Sequence, residues 1–329
     1  MNLLVTGGAG YIGSHAVRAL NRKGMNVIVF DSLEKGHEEA SGGVPLIQGN
    51  LADKELVNKV FGQYQFDAVM HFAAYSLVGE SMTAPGKYFR NNVAAGLNLI
   101  DTMIKHDVNK LVFSSTAAVF GEPEEIPIIE DTPKNPTNVY GKSKLMFEQI
   151  LDTYDKAHGL KSISLRYFNA AGADFSGELG EDHSPETHLI PLIMQTALGQ
   201  RPDIKVFGTD YNTPDGSCVR DYIHVNDLAN AHILALEALL EGKRSDVYNL
   251  GTGTGYSVLE VIGKAIEVSG VDFPVECIDR RQGDPAVLVA SPEKIKSELG
   301  FKLEYSDLET IIKSAWKWHS KCPIGFAGK

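Results

Sequence analysis

The segment LLVTGGAGYIG, residues 3–13, is the part of the sequence that most clearly indicates the fold. The first four residues predict a short buried strand, and a helix is predicted to begin at Tyr11. Between them, Gly7 allows a sharp turn, Gly10 lets the backbone approach a pyrophosphate, and Gly13 lets helix and strand pack closely. The N–H groups at the helix N-terminus then face the phosphates. Although the glycines stand at every third position rather than as G-x-G-x-x-G, the strand-turn-helix context predicts a dinucleotide site.

Short apolar runs alternate with amphipathic stretches through the first half of the chain. Such alternation predicts parallel strands joined by right-handed helical crossovers. We therefore predict an α/β fold, a Rossmann-like doubly wound parallel sheet with helices on both faces. The predicted strands are Leu3–Thr6, Asn26–Phe30, Pro45–Gln48, Ala68–Phe72, Lys110–Ser115 and Ser162–Phe168, and the predicted helices are Tyr11–Lys23, Lys54–Phe61, Tyr88–Lys105 and Val139–His158.

The second half is richer in glycine and proline and predicts a smaller C-terminal α/β lobe that forms the other wall of a cleft. We divide the chain into residues 1–170 and residues 171–329, with a segment of about 219–250 returning to the first domain. The elements predicted in this half are helix Leu189–Leu198, a strand near Val206, strand Val219–Ile223, and helices Val225–Leu240, Val258–Val268, Pro292–Leu299 and Leu308–His319.

Composition limits the class of protein. The 329 residues are 43% hydrophobic, which is enough for a large core, and 31 basic against 42 acidic residues give a net charge of −11. A negative field of that size argues against a nucleic-acid partner. The three cysteines are far apart, and the histidines form no HExxH motif, so we predict no metal site. Without a signal peptide or a long apolar run, we expect a cytoplasmic protein that does not contact a membrane.

Asp31 ends the second predicted strand, 18 residues after Gly13. At this point of a dinucleotide-binding unit, an acidic side chain accepts a hydrogen bond from a ribose hydroxyl and would repel a 2′-phosphate. No arginine follows immediately. The predicted cofactor is therefore NAD rather than NADP.

Tyr140 and Lys144 stand one turn apart on a predicted helix, and Thr116 follows the strand that precedes it. A lone Tyr–Lys pair is more often a surface pair, but the carboxyl edge of the sheet would bring these three side chains together beside the nicotinamide. A tyrosine has a pKa of about 10. We expect Lys144 and the positive ring to lower it, so that Tyr140 removes a hydroxyl proton while Thr116 hydrogen-bonds the same oxygen.

Together these motifs resemble the extended short-chain dehydrogenase/reductase superfamily and, within it, the UDP-glucose 4-epimerase family. The likeness runs over nearly the whole chain. It is carried by Gly7–His15, His71–Ser81, Ser114–Gly121, Asn135–Lys144, Arg166–Gly172, Phe207–Asp227 and Arg280–Asp284. The resemblance implies an NAD-dependent isomerase of hexose and galactose metabolism, which oxidises C4 of a UDP-hexose, rotates the 4-keto sugar and reduces its other face. UDP-galactose and UDP-glucose would thus interconvert.

The resemblance also implies the site residues. The catalytic residues would be Tyr140, Lys144 and Thr116. NAD would contact Gly7, Gly10, Tyr11, Ile12, Gly13, Asp31, Ser32, Leu33, Glu34, Lys35, Gly36, Asn50, Leu51, Phe72, Ala73, Ala74, Tyr75, Ser76, Asn91, Tyr140, Lys144 and Phe168. The UDP-sugar would contact Thr116, Tyr140, Asn169, His188, Leu189, Lys205, Val206, Phe207, Arg220, and Arg281 through Asp284. Among these, arginines suit a pyrophosphate and an aromatic ring suits uracil.

Three residues depart from the family pattern. Asn50 replaces an Asp that contacts adenine, and its amide carbonyl can accept the same hydrogen bond. Ser76 replaces a Lys that some members use near the nicotinamide ribose, which implies weaker retention of NAD. His188 replaces an Asn that meets the substrate phosphates.

Several alternatives remain at this point. A 4,6-dehydratase would need an Asp-Glu pair where Ala117 and Ala118 follow the strand end. A 4-epimerase for N-acetylated or uronic-acid UDP-sugars is open, although Leu288, near the position that limits bulk at C2, favours unsubstituted hexoses. A non-enzymatic NAD-sensing protein would typically lack Tyr140 or Lys144. The resemblance further implies a homodimer built on Lys87–His106 and Val139–His158, whose apolar faces could equally be core.

Overall fold

A parallel sheet of seven strands organises the protein, of which the computed structural model describes residues 1–281 and 284–328. The sheet order is β11-β6-β5-β4-β1-β2-β3, and all neighbouring strands are parallel. The described strands are β1 (Asn2–Thr6), β2 (Asn26–Asp31), β3 (Leu46–Gln48), β4 (Ala68–His71), β5 (Lys110–Ser114), β6 (Lys161–Tyr167), β7 (Asn169–Ala171), β8 (Ile204–Phe207), β9 (Val219–Arg220), β10 (Tyr222–His224), β11 (Asp246–Leu250), β12 (Tyr256–Ser257), β13 (Val275–Ile278) and β14 (Val287–Leu288). This order confirms the doubly wound α/β fold, and the connections reverse direction between β1 and β4.

Helices cover both faces of this sheet. They are α1 (Tyr11–Arg22), α2 (Lys54–Gln63), α3 (Val78–Thr83), α4 (Pro85–Tyr88), α5 (Ala95–Lys105), α6 (Val139–His158), α7 (Leu189–Ala197), α8 (Val225–Leu240), α9 (Val258–Ser269), α10 (Glu293–Leu299) and α11 (Leu308–Lys321). Short 3-10 turns occupy Glu38–Ser41, Ala117–Phe120 and Gly325–Gly328. None of the helices in the described ranges combines the length and the apolar character that a bilayer span needs.

The two helix layers follow from the alternation of side chains along each strand. In β1, Leu3 and Val5 pack into one apolar cluster with α1 and α8, whereas Leu4 packs into the opposite cluster with α2, α5 and α6. All three side chains are almost fully buried. A strand that is apolar on both faces is typical of a sheet enclosed between helices.

The second lobe has its own core. Helices α7, α9 and α11 pack around β8, with Ile193, Val261 and Ile311 fully inside. Its small sheets are β8 with β13 and β9 between β12 and β14. The chain does not stay in this lobe, because α8 packs against α1 and β11 pairs with β6 in the main sheet.

Two predicted elements differ from the structure, and the prediction omitted helix α3 and strands β7, β11, β12, β13 and β14. The single strand predicted over Val219–Ile223 is wrong, because β9 and β10 belong to different sheets. They separate at Asp221, whose buried carboxylate accepts the N–H groups of Thr252 at 2.8 Å and Ala290 at 3.0 Å. The helix predicted over Tyr88–Lys105 begins at Pro85 and contains a π-helical turn over Phe89–Ala94.

Candidate active site

A cleft of about 470 Å³ lies at the carboxyl edge of the seven-stranded sheet. One wall is made by residues that follow the ends of the strands. The other wall is made by the segment 181–188, together with Arg220 and Leu288 from the second lobe. Ligands of doubly wound proteins bind at this edge, near the point where the connections reverse.

The glycine turn after β1 is shaped for a close ligand. Gly7 has a φ of +73°, and a Cβ there would lie 2.5 Å from the backbone nitrogen of Ala73. A Cβ on Gly13 would lie 2.1 Å from the carbonyl oxygen of Gly7, so both positions exclude any side chain. Gly10 borders the cleft, and it begins α1 without a side-chain cap. The free N–H groups there can receive the pyrophosphate of a dinucleotide, and the residues present fit NAD.

Asp31 lines the cleft beside the glycine turn. It ends β2, and its buried carboxylate accepts the N–H groups of Ala9 at 3.0 Å and Leu33 at 2.9 Å. Burial raises the pKa of this carboxyl group, and the two N–H donors partly offset that rise. The carboxylate is thereby fixed beside the glycine turn, where spare lone pairs can accept ribose hydroxyls.

Side-chain amides connect other loops that border the cleft by hydrogen bonds. Asn50 accepts the N–H of Ala52 at 2.9 Å and donates to Glu34 at 3.3 Å. Asn92, which sequence reasoning missed, accepts the Tyr75 N–H at 2.9 Å and donates to Ser143 at 3.0 Å. Asn92 lies in the π-helical turn beside the predicted Asn91, so an unusual turn with a buried amide was the available signal.

The predicted catalytic residues meet at one point. Thr116 follows β5, while Tyr140 and Lys144 lie in the first two turns of α6, which Asn138 caps by accepting the Gly141 N–H at 2.8 Å. The Thr116 hydroxyl is near enough to the Tyr140 phenol to favour its ionised form. All three side chains line the cleft. The arrangement can hold a sugar hydroxyl between a phenol and a neighbouring hydroxyl, which suits proton transfer.

The protonation states differ from the sequence prediction. Burial raises the pKa of Tyr140 to about 12, and the nearby Thr116 hydroxyl opposes that rise only in part. Burial also lowers the pKa of Lys144 to about 7, although Glu148 opposes that change. The expected lowering of the tyrosine pKa by Lys144 is therefore not found in the protein alone, because the amine is itself desolvated and loses much of its charge near neutral pH.

A buried network behind α6 supports this site and was not predicted. Glu148, one turn beyond Lys144, forms an ion pair with Arg166 at 2.6 Å and accepts the Ser115 hydroxyl at 2.5 Å. Tyr167 lines the cleft beside Ser114, and burial strongly raises its pKa. The i, i+4, i+8 spacing from Tyr140 to Glu148 was the signal for one shared helix face.

The second lobe contributes cationic and aromatic groups. Arg220 lines the cleft and lies 3.4 Å from Asp284, and the guanidinium of Arg281 sits 3.6 Å above the Phe207 ring. These predicted residues are therefore close partners, although Gln282 and Gly283 lie outside the described residues. Lys205 pairs with Glu276 at 3.3 Å at the surface.

Most predicted site residues line the cleft. Those that do not, within the described ranges, are Leu33, Leu189, Lys205, Val206, Phe207, Arg281 and Asp284. The prediction that the Val206 side chain contacts the UDP-sugar is wrong. Alternate residues of β8 face the core of the second lobe, and the Val206 side chain is buried there. Only the backbone of Val206 can meet a ligand.

The wall segment 181–188 contains an acidic and imidazole cluster that sequence reasoning missed. His188 lines the cleft as predicted, and its Nδ1 lies 2.6 Å from Glu181 Oε1. Glu181 raises the pKa of His188 to about 10, against the opposing effect of burial. Burial opposes ionisation of Glu181, but the two imidazoles of His188 and His183 outweigh it and lower its pKa to about 2. The E-x-H-x-x-E-x-H spacing was the available signal.

Comparisons with known proteins agree on one family. The family model "NAD dependent epimerase/dehydratase family" matches residues 3–251. A relative from Halalkalibacterium halodurans, "UDP-glucose 4-epimerase", is 52% identical over 99% of this chain and 98% of its own length. A solved UDP-glucose 4-epimerase superposes with a TM-score of 0.98 at 51% identity, covering 99% of both chains. The Bifidobacterium longum UDP-glucose 4-epimerase, solved with NAD⁺ and UDP, has a TM-score of 0.93 at 41% identity, covering 99% of this chain and 100% of its own.

Proposed function

The chain belongs to the NAD-dependent epimerase/dehydratase family, and from that premise we propose that it is an isomerase that interconverts UDP-galactose and UDP-glucose. The observation that carries the proposal is that Thr116, Tyr140 and Lys144 all line one cleft, which also contains the glycine turn. An acid–base pair next to a dinucleotide site suits reversible oxidation of a carbinol. Epimerisation needs no further acid or base, whereas dehydration would need an acid after Thr116, where Ala117 and Ala118 stand.

NAD, when bound in this cleft, would supply the oxidation and re-reduction at C4 of the hexose, and a positively charged ring there would favour the Tyr140 phenolate. Tyr140 takes the proton from O4 and later returns it, and Thr116 orients the hydroxyl. Lys144 donates from Nζ to the carbonyl oxygen of Ser114 at 2.7 Å, which holds α6 against the strand end. The hexose must turn between the two half-reactions, so the chain should hold the nucleotide firmly and the sugar loosely.

The nucleotide is the part of the substrate that the second lobe is equipped to hold. We assign Arg220 and Arg281 to the diphosphate, since guanidinium groups bind phosphate oxygens in pairs. Asp284 can accept the ribose hydroxyls, and Phe207 can flank the uracil. Leu288 borders the sugar end of the cleft, and its branched side chain favours a hexose without an acetamido group at C2.

We also propose that the protein is a homodimer, as the family resemblance implies. Val78 and Met82 of α3 and Met146 of α6 are exposed, and α3 and α6 are in contact. We propose that this apolar patch joins two copies through their α6 helices. Sedimentation of the purified protein should give twice the mass of one chain, and Met146→Lys should lower that mass toward the mass of one chain.

We further propose that the protein works in the cytoplasm, because its three unpaired cysteines fit a reducing compartment.

The activity is tested with purified protein and UDP-galactose, without added cofactor. Formation of UDP-glucose is expected, because NAD should remain bound through the cycle. If product forms only after NAD is added, the reaction stands and the loop that carries Ser76 retains NAD weakly. Folded protein with bound NAD that converts neither UDP-galactose nor its N-acetylated analogue would contradict the proposal and would leave the uronic-acid sugars as substrates.

A further inference from the structure

We propose that Glu181, His183, Glu186 and His188 form a binding site for one divalent transition-metal ion of the zinc type. Each residue offers one ligand atom, and the four atoms lie within 4.8 Å of one another. Imidazole nitrogen and carboxylate oxygen are both ordinary zinc ligands. This site is separate from the reaction proposed above, because Tyr140, Lys144 and Thr116 take no part in it.

The distances match a tetrahedron around an ion. Zinc–ligand bonds of about 2.0–2.2 Å place neighbouring ligand atoms of a tetrahedral site about 3.4 Å apart. Glu181 Oε1 lies 2.6 Å from His188 Nδ1 and 3.2 Å from His183 Nδ1. Glu186 Oε2 lies 3.7 Å from His183 Nδ1, and Glu186 Oε1 lies 3.5 Å from His188 Nδ1. These separations bracket the expected value, and both imidazoles direct the same ring atom inward.

Two nearly buried carboxylates in the cluster require positive charge close to them. The side chains of Glu181 and Glu186 are each 5% exposed, so the two carboxylates need compensating positive charge, which the two imidazoles supply when they are protonated. One divalent ion would supply the same charge while both imidazoles stay neutral. The Nδ1 atom of His183 is buried and has no well-directed hydrogen bond within the described ranges, although Glu181 Oε1 is nearby. A metal would give that atom a partner.

The surroundings hold the four ligands in place. Oε1 of Glu186 accepts the backbone N–H groups of Thr187 at 2.7 Å and His188 at 2.8 Å, which fixes that carboxylate as outer hydrogen bonds fix metal ligands. The segment itself is anchored on both sides of the cleft: Trp318 donates to the carbonyl oxygen of Glu181 at 3.1 Å, and Lys35 donates to that of Ser184 at 2.6 Å.

Four protein ligands leave no open position, which is the arrangement of a structural site rather than a catalytic one. The ion would therefore stiffen the segment 181–188, which forms a wall of the cleft between the two lobes. His188 is the ligand with the most exposed side chain, so it provides the path by which an ion enters.

The test is metal binding by the whole enzyme. Chelator-treated protein is dialysed against Zn²⁺ and then against metal-free buffer, and its metal content is measured by elemental analysis. We expect one zinc per chain, a higher melting temperature with Zn²⁺ than with Mg²⁺, and, with Co²⁺ in place of Zn²⁺, the strong visible absorption of a tetrahedral nitrogen–oxygen site. The double variant Glu186→Gln/His183→Gln should lose all three properties. Glu122→Gln/His158→Gln, with both changes at exposed positions, is the matched control.

Zinc content below one-tenth per chain in folded wild-type protein would overturn the proposal, and the cluster would then be a set of proton-held ion pairs. Cobalt absorption with thiolate character would also overturn it, because the exposed Cys277 would be the ligand. If the double variant does not fold, wild-type protein still decides the question: the Co²⁺ absorption must saturate at one equivalent, and one equivalent of Zn²⁺ must remove it.

Discussion

Lys144 Nζ donates to the carbonyl oxygen of Ser114 at 2.7 Å, and this bond joins the helix that carries Tyr140 to the strand end that carries Thr116. The amine is buried and also lies 4.8 Å above the Phe113 ring. Lys144 thus holds α6 against the end of β5, on which the position of Tyr140 near Thr116 depends. Its structural role and its charge are separable by experiment.

Tyr140→Phe removes only the phenolic oxygen that exchanges the proton. We expect turnover of UDP-galactose to fall by about 10²–10⁴-fold, because loss of a general acid–base has effects of that size. The fold and the bound NAD should be retained, as judged by melting temperature and by NAD content after purification. Tyr154→Phe, on the same helix but bonded to Asp101, is the control and should remain active. Near-normal turnover of Tyr140→Phe would remove Tyr140 from the mechanism.

Lys144→Met should change how stability depends on pH in nucleotide-free protein. Burial lowers the pKa of Lys144 to about 7, whereas an unfolded lysine titrates near about 10.4. Between these values the unfolded chain binds more protons, so the free energy of unfolding rises with pH, and the variant lacks this contribution. Urea unfolding from pH 7 to 10 should show the difference moving in favour of the wild type by up to about 1.4 kcal/mol per pH unit.

The exposed Lys142→Met is the control for that measurement, since it changes the same residue type two positions away. Its unfolding free energy should run parallel to that of the wild type over the whole range. A pH-independent difference between wild type and Lys144→Met would mean that Lys144 keeps an ordinary pKa in the folded protein.

Glu148→Ala should destabilise the protein strongly. It leaves Arg166 buried without its 2.6 Å partner, and such a loss costs about 3–5 kcal/mol of unfolding free energy. The double variant Glu148→Leu/Arg166→Met should recover much of the loss, because no charge remains buried. Asp152→Ala, which breaks an exposed pair with Lys156 on the same helix, should cost less than about 1 kcal/mol. Equal costs for Glu148→Ala and Asp152→Ala in denaturant unfolding would contradict the assignment.

Leu288→Ala should widen the range of sugars that the enzyme accepts. Leu288 and Phe168 both line the cleft, so truncation of Leu288 opens space there. We expect the ratio of kcat/KM for the N-acetylated sugar to that for UDP-galactose to rise about tenfold, as for a pocket enlarged by a few methyl groups. Leu303→Ala, a comparable truncation outside the cleft, should leave the ratio unchanged. An unchanged ratio in Leu288→Ala would show that another residue limits bulk.

Local patterns were sufficient for the elements that carry the site. The helix Val139–His158 was predicted with its observed bounds, because an asparagine cap, an apolar stripe and a final glycine all lie within one segment. The strand and turn from Leu3 to Gly13 were predicted from an apolar run that is followed by glycines at every third position. Where the chain changes partners within a few residues, as at Asp221, apolar residues on both sides look alike, and only the buried carboxylate separates the two short strands.

The doubly wound sheet, the glycine turn and the convergence of Thr116, Tyr140 and Lys144 follow from periodicity, turn residues and the direction of parallel strands, all of which are visible in the sequence. The protonation of Tyr140 and Lys144, the buried pair of Glu148 with Arg166 and the meeting of Glu181, His183, Glu186 and His188 emerge only in the folded protein. Charge states and side-chain clusters depend on how much water packing removes and on which side chains it brings within about 3–4 Å, and spacing along the chain shows neither.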